Sequence, residues 1–179
     1  MSILIWTDGS CLVNPGGPGG WAALIRDTER PGTQQVGSGR LKMTTNQRAE
    51  LAAIHEALRQ LEIPGPEVVI FTDSKYAMHI LRGEWEAQLN LDLVNRILPY
   101  TRLHRVRFQF VRGHLSDKNN NTVDQMARNA AHGATIAWKG MTYAIPQTHQ
   151  PRPGDGDLRP ADEGRPPSEL PASGGHPGG

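Results

Sequence analysis

Hydrophobic and polar positions follow two different rhythms along the first 145 residues. Ile3-Leu4-Ile5-Trp6-Thr7 is a short apolar run ended by Asp8-Gly9-Ser10, and Trp21-Ala22-Ala23-Leu24-Ile25 follows a Gly/Pro loop. Both read as strands, and a third is expected over Gln34 to Leu41. Their Pro- and Gly-containing connections suggest an antiparallel meander. From Thr45 to Leu61 the rhythm changes. Glu50, Ile54, Ala57, Leu58 and Leu61 recur at spacings of three and four, one stripe of a helix that Thr45 can cap. Pro64-Gly65-Pro66 breaks the chain, and Val68 to Thr72 reads as a buried strand ending at Asp73. Helices follow over Lys75 to Leu81 and over Asn90 to Arg102. Val106, Phe108 and Phe110 alternate with Arg107 and Gln109, the signature of a last strand. Asn121 to Ala131 and His132 form the final helix, with Gly133 placed to stop it. Strands first and βαβ units later predict an α/β fold, a mixed sheet with helices on its faces.

Composition changes the picture at Pro146. The 34 residues from Pro146 to Gly179 hold eight prolines and seven glycines, and Leu158 and Leu170 are their only aliphatic side chains larger than alanine. Such a segment cannot bury enough apolar surface to offset its ordering entropy. The chain is therefore expected to be one domain, residues 1–145, with a disordered tail over 146–179. The tail's three arginines and five acids give it a charge of −2, which leaves +3 on the body of a chain whose total is +1. Bulk charge thus does not select a partner, and any nucleic-acid affinity must come from where individual cations sit. The single cysteine, Cys11, excludes an internal disulfide and a Cys-rich zinc site. The N-terminal apolar run is too short for a signal peptide, and no stretch reaches the length of a membrane span. The expectation is a cytoplasmic protein without membrane association, monomeric.

Two strands end alike. Ile-Trp-Thr-Asp closes on Asp8 and Ile-Phe-Thr-Asp on Asp73. If these strands are parallel neighbours, both carboxylates emerge at one edge of the sheet, where ligands bind in open α/β sheets. Glu50 lies early in its helix, on an otherwise apolar stripe, and a carboxylate there is costly without compensation. Asp124 sits near the start of the last helix, where negative charge is favoured. Singly, Asp8 and Asp73 could be turn residues and Asp124 a helix-start acid. Four acids converging on one edge repel one another unless cations lie between them. Hard divalent cations take oxygen ligands, and a pair of them can promote phosphoryl transfer.

In order along the chain, Thr7-Asp-Gly-Ser-Cys-Leu-Val-Asn-Pro-Gly-Gly, Thr45-Asn-Gln-Arg-Ala-Glu-Leu, Thr72-Asp-Ser-Lys-Tyr and Val111-Arg-Gly-His, with Asp124 ten residues beyond His114, closely resemble ribonuclease H of type 1. The resemblance spans about residues 3–143 and is of the bacterial kind. It implies a ribonuclease H-like fold, with a five-stranded mixed sheet flanked by helices. It implies an endonuclease that hydrolyses the RNA strand of RNA–DNA hybrids and leaves 5′-phosphate and 3′-hydroxyl ends. Asp8, Glu50, Asp73 and Asp124 would hold two Mg²⁺, or Mn²⁺, with Asp8 bridging them. His114 would assist proton movement or product release. Asn14, Asn46, Gln47 and the backbone near Cys11 would line the groove that reads ribose and base edges, with Glu50 also accepting from the 2′-hydroxyl, the group that distinguishes RNA. Thr45 and Asn90 match the pocket for a phosphate of the DNA strand.

Two departures stand out. Met43 replaces an arginine that relatives place in that phosphate pocket, and Arg40 or Lys42 would have to compensate. The basic, Trp-rich protrusion of many bacterial members is also missing. In its place Arg82-Gly-Glu-Trp-Glu-Ala-Gln-Leu has two acids against one base, which implies weaker hybrid affinity. Two other functions compete: a nuclease of the same fold acting on DNA, and a non-catalytic hybrid-binding module. The ribose-reading set argues against the first and the retained acids against the second.

Overall fold

The computed structural model describes residues 2–61, 65–112 and 117–140. The first strands are β1 (Ser2–Cys11), β2 (Gly19–Asp27) and β3 (Gln34–Leu41), followed by helix α1 (Asn46–Arg59). Then come β4 (Glu67–Thr72), α2 (Lys75–Leu81), α3 (Leu91–Leu103), β5 (Arg105–Phe110), α4 (Lys118–Ala131) and β6 (Ile136–Lys139). They form one mixed sheet in the order β5-β4-β1-β2-β3-β6. The meander β1-β2-β3 is antiparallel, while β4 and β5 run parallel to β1, as βαβ crossovers require.

Alternation along β1 sorts its side chains between two cores. Ile3 and Ile5 join Leu51, Ile54 and Leu58 of α1 and Leu93 and Ile97 of α3 in the larger core. Leu4 and Trp6 face the other way, toward Val123, Met126 and Ala127 of α4. On that side α4 lies directly on the sheet backbone. A Cβ on Gly20 would stand 2.3 Å from the Ala127 carbonyl oxygen and 2.5 Å from the Ala131 nitrogen.

The expected α/β architecture is present, with three differences. The sheet has six strands rather than five. The sixth, β6, is only four residues long, and pairs Val36 and Ser38 of β3 with Lys139 and Ile136. Its Trp138 ring lies over Gly37, so the strand is held by packing that its own short alternation does not reveal. The last helix begins at Lys118 rather than Asn121, because Asp117 caps it through Asn119 N–H and Asn120 N–H at 2.8 and 3.2 Å. Finally, β1 does not end at Asp8. It continues to Cys11 paired with β2, whereas its parallel ladder with β4 stops at the Trp6–Phe71 pair.

The proposed tail, 146–179, lies outside the described residues. Among the described residues, no helix is long and apolar enough to cross a membrane.

Candidate active site

The site is built where two strands part. Beyond Trp6 and Phe71 the β1–β4 ladder ends, so Asp8 and Asp73 sit at the opening between the diverging strands. Helix α1 brings a third acid. Thr45 caps that helix by accepting from Arg48 N–H at 3.2 Å, and Glu50 follows in the second turn, pressed against β1. The approach is as close as a backbone permits. A Cβ on Gly9 would lie 2.2 Å from Glu50 N and 2.3 Å from the Ala49 carbonyl carbon, so only glycine fits at this crossing.

One carboxylate oxygen from each of Asp8, Glu50 and Asp73 lies within 4.8 Å of the others. Asp8 is 5% exposed, and Glu50 Oε2 is buried with no hydrogen-bond partner. Burial first, and then the charges of Asp73 and Asp124, push the Asp8 carboxyl from the ordinary 3.8 to about 8, against the lowering influence of Arg128. Burial also pushes Glu50 well above its ordinary 4.5, reinforced by Asp8, Asp73 and Asp124 and opposed by a hydrogen bond from Gly9 N–H. Such an arrangement favours a bound cation. The donors are all carboxylate oxygens, the set that hard divalent ions prefer, and a bound ion would satisfy the orphaned Glu50 oxygen.

Asp124 is near the trio without joining it. Its charge reaches Asp8 and Glu50, yet its Oδ1 is held by Arg128, with Nε at 3.0 Å and Nη2 at 2.9 Å. Three of the four predicted acids therefore converge, and the fourth is turned to a neighbouring arginine one helical turn on. His114 lies outside the described residues.

The predicted substrate-contacting residues are linked to one another around the starts of α1 and α3. The β1–β2 loop is stitched to Thr44 by Gly16 N–H to Thr44 O at 2.8 Å and Thr44 N–H to Gly17 O at 2.9 Å. Asn14 Oδ1 accepts from Asn46 N–H at 3.1 Å, which joins the loop to the start of α1 where Asn46 and Gln47 are exposed. Cys11 Sγ packs over the Val13, Thr44 and Gly17 carbonyls at 3.1, 3.4 and 3.7 Å, a packing role rather than a nucleophilic one. Asn90 caps α3 in a left-handed conformation, φ 58°, without spending its side chain on the helix; its Nδ2 stands 3.4 Å from the Tyr76 hydroxyl. Arg48 and Asp92 form a two-pronged ion pair, which ties the start of α1 to the start of α3.

Of the two candidate compensating cations, Arg40 points elsewhere and Lys42 is exposed. Arg40 pairs with Gly20 in register and so belongs to the α4 face, with Nη1 near Gly133. Met43 is exposed. Trp85 is half exposed, and stacks on His79 with centroids 4.3 Å apart. Sequence reasoning missed Arg48, Asp92, Asp117 and Arg128. The i,i+4 spacing of Asp124 and Arg128, and an Asp just before a polar helix start, were the available signals.

The RNase H family model matches residues 1–132. The ribonuclease H of Syntrophomonas wolfei subsp. wolfei is 38% identical over 142 residues, 72% of this chain and 94% of that protein. The ribonuclease H of Xanthomonas oryzae pv. oryzae is 39% identical over 143 residues, 73% of this chain and 92% of that one. Among solved structures, LC9-RNase H1, a type 1 RNase H with the type 2 active-site motif, superposes with a TM-score of 0.66 at 24% identity, covering 78% of this chain and 77% of that one. LC11-RNase H1, solved in complex with an RNA/DNA hybrid, superposes with a TM-score of 0.63 at 23% identity, covering 74% of this chain and 98% of that one. At those identities the structural likeness speaks for the fold, while the family match and the curated relatives cover nearly the whole described body. The chain thus belongs to the ribonuclease H family and is a ribonuclease H enzyme.

Proposed function

We propose that this chain hydrolyses the RNA strand of RNA–DNA hybrids, with Asp8, Glu50, Asp73 and Asp124 holding two Mg²⁺ (or Mn²⁺), and that the products carry 5′-phosphate and 3′-hydroxyl ends. The observation that carries the reading is the mutually repelling carboxylate trio, Asp8 buried and Glu50 and Asp73 half-buried, with an unpaired Glu50 oxygen. Such a pair of ions, when bound, supplies a water activated at neutral pH and charge stabilisation at the leaving oxygen. Asp124 would be the fourth residue to hold them, in place of its Arg128 contact. Binding of a hybrid to a relative of the same fold, LC11-RNase H1, supports the choice of substrate.

The remaining residues bind and orient. Thr45 Oγ1 accepts from the helix with a lone pair, which leaves its proton for a phosphate oxygen of the DNA strand. Asn90 directs one amide hydrogen to the Tyr76 hydroxyl and has the other for the same phosphate, and such contacts set register. Asn14 spends its carbonyl oxygen on Asn46 N–H, so its NH₂ group and the side chains of Asn46 and Gln47 remain to read ribose and base edges. Glu50 accepts from the 2′-hydroxyl, and His114 moves a proton or aids product release.

The test is incubation with labelled RNA–DNA hybrid, single-stranded RNA, double-stranded RNA and DNA duplex, with Mg²⁺ and then with EDTA. Cleavage of the hybrid's RNA strand alone, abolished by EDTA, is expected. Metal-independent binding without cleavage, or cleavage of the DNA duplex, would overturn the reading.

A further inference from the structure

One carboxylate outside the acidic cluster makes contacts in two directions. Asp117 Oδ1 accepts from Asn119 N–H and Asn120 N–H and so starts α4, while its Oδ2 accepts from the indole Nε1–H of Trp6 at 3.0 Å. Trp6 is 6% exposed and stacks on Phe71, with centroids 4.8 Å apart and planes 9° from parallel. These two rings form the last rung of the parallel ladder between β1 and β4. Trp6 stands two residues before Asp8, and Phe71 two residues before Asp73. The indole is thus fixed to both strands that carry acids of the trio, and its N–H reaches the cap of the helix that carries the fourth.

Helical geometry makes the connection specific. Asp124 is seven residues from Asp117, about two turns, so the two lie on nearly the same helix face roughly 10 Å apart along the axis. Beyond Asp124, α4 is seated on Gly20 at Ala127 and Ala131. Val123 and Met126 pack on the same sheet face between these points, so the Trp6–Asp117 bond adds a directional polar tie to an apolar seat. Losing that tie lets the N-terminal turns of α4 shift on this seat, and with them the distance of Asp124 from Asp8.

We infer that the Trp6–Asp117 hydrogen bond is a positioning device for the metal site: it sets the placement of Asp124 against Asp8 and Asp73, and thereby the affinity of the site for divalent ions. The inference rests on the proposed metal role of the four acids. Trp6 and Asp117 act through those acids and touch neither ion nor substrate. Partners that orient metal ligands from outside are commonly worth 10–100-fold in affinity, and this tie is one step more remote, so a loss of about 3–10-fold is expected.

The test uses the full chain, stripped with EDTA and titrated with Mn²⁺ by calorimetry. Trp6→Phe keeps the stack on Phe71 and removes only the donor. Asp117→Asn keeps an N-cap residue and removes one of two acceptor oxygens. Both should bind Mn²⁺ about 3–10-fold more weakly, with the metal concentration for half-maximal hybrid cleavage raised by the same factor and most of the rate restored at saturation. The double variant should be no weaker than the poorer single one, because both remove the same bond. Ile97→Val, a truncation in the other core, should lower the melting temperature without moving Mn²⁺ affinity. Unchanged Mn²⁺ affinity in Trp6→Phe and Asp117→Asn, or a shift of equal size in Ile97→Val, refutes the positioning role. Asp73→Asn in the same titration separates the two levels: undiminished Mn²⁺ binding there overturns the metal-site reading, and the positioning role with it.

Discussion

Gly9→Ala adds a single methyl group at the point where β1 crosses α1. The new Cβ would lie 2.2 Å from Glu50 N and 2.3 Å from the Ala49 carbonyl carbon, against ordinary contact beginning near 3.4 Å. Both obstacles are backbone, so no side chain can swing aside, and α1 must lift from β1 by about 1 Å. Overpacking of this kind costs about 1–3 kcal/mol when side chains can share the strain, and a rigid backbone clash belongs at the upper end. For a domain of this size that corresponds to a fall in melting temperature of roughly 10 °C. The same displacement carries Glu50 away from Asp8 and Asp73, and strains the Gly9 N–H to Glu50 hydrogen bond. A misplacement of about 1 Å in a catalytic constellation is worth about 100-fold in rate. Thermal unfolding in EDTA and single-turnover cleavage of a labelled hybrid at saturating Mg²⁺ read the two effects separately. Wild-type stability together with wild-type rate would refute the proposed steric link between this glycine and the site. A stable variant with a lost rate would still locate the effect in the placement of Glu50.

Asp73→Asn should abolish metal-dependent cleavage, yet raise the melting temperature of the metal-free protein at neutral pH, because Asp73 contributes to the repulsion on Asp8 and Glu50; a retained rate at saturating Mg²⁺ contradicts this. Arg128→Ala should tighten Mn²⁺ binding in calorimetry about two- to fivefold, since it both releases Asp124 and removes a cation from beside the site; weaker binding would show that Arg128 supports the metal-bound arrangement instead. The Asp8 carboxyl titrates in the folded protein at about 8 against an ordinary 3.8, so between these values the native state holds a proton that the unfolded chain has lost. Stability of the metal-free protein should consequently fall as pH rises from about 4 to about 8. Melting temperatures across that range in EDTA should fall less steeply in Asp8→Asn than in wild type, and parallel slopes in the two proteins count against the burial argument.

Local features of the chain carried most of the element list. The three- and four-residue stripe from Glu50 to Leu61, Thr45 as a cap, and Asp73 immediately after a buried strand are each written in a short contiguous stretch of chain, and the structure repeats them. Four motifs in order were enough to assign the family, and they named the three acids that converge. What depended on contacts between distant segments was not legible. Asp8 stands inside a strand because β2 continues to pair with β1 after β4 has turned away. The sixth strand exists because Trp138 finds Gly37 about 100 residues back along the chain. Trp6 reads as an ordinary core residue until its indole N–H is seen to reach Asp117, and Asp124 reads as a fourth converging acid until Arg128 is seen to hold it. Periodicity and capping are short-range because one turn or one pleat decides them. Where a strand loses a neighbour, or how closely a helix sits on a sheet, is settled by packing among segments far apart in sequence, and no window along the chain contains both partners.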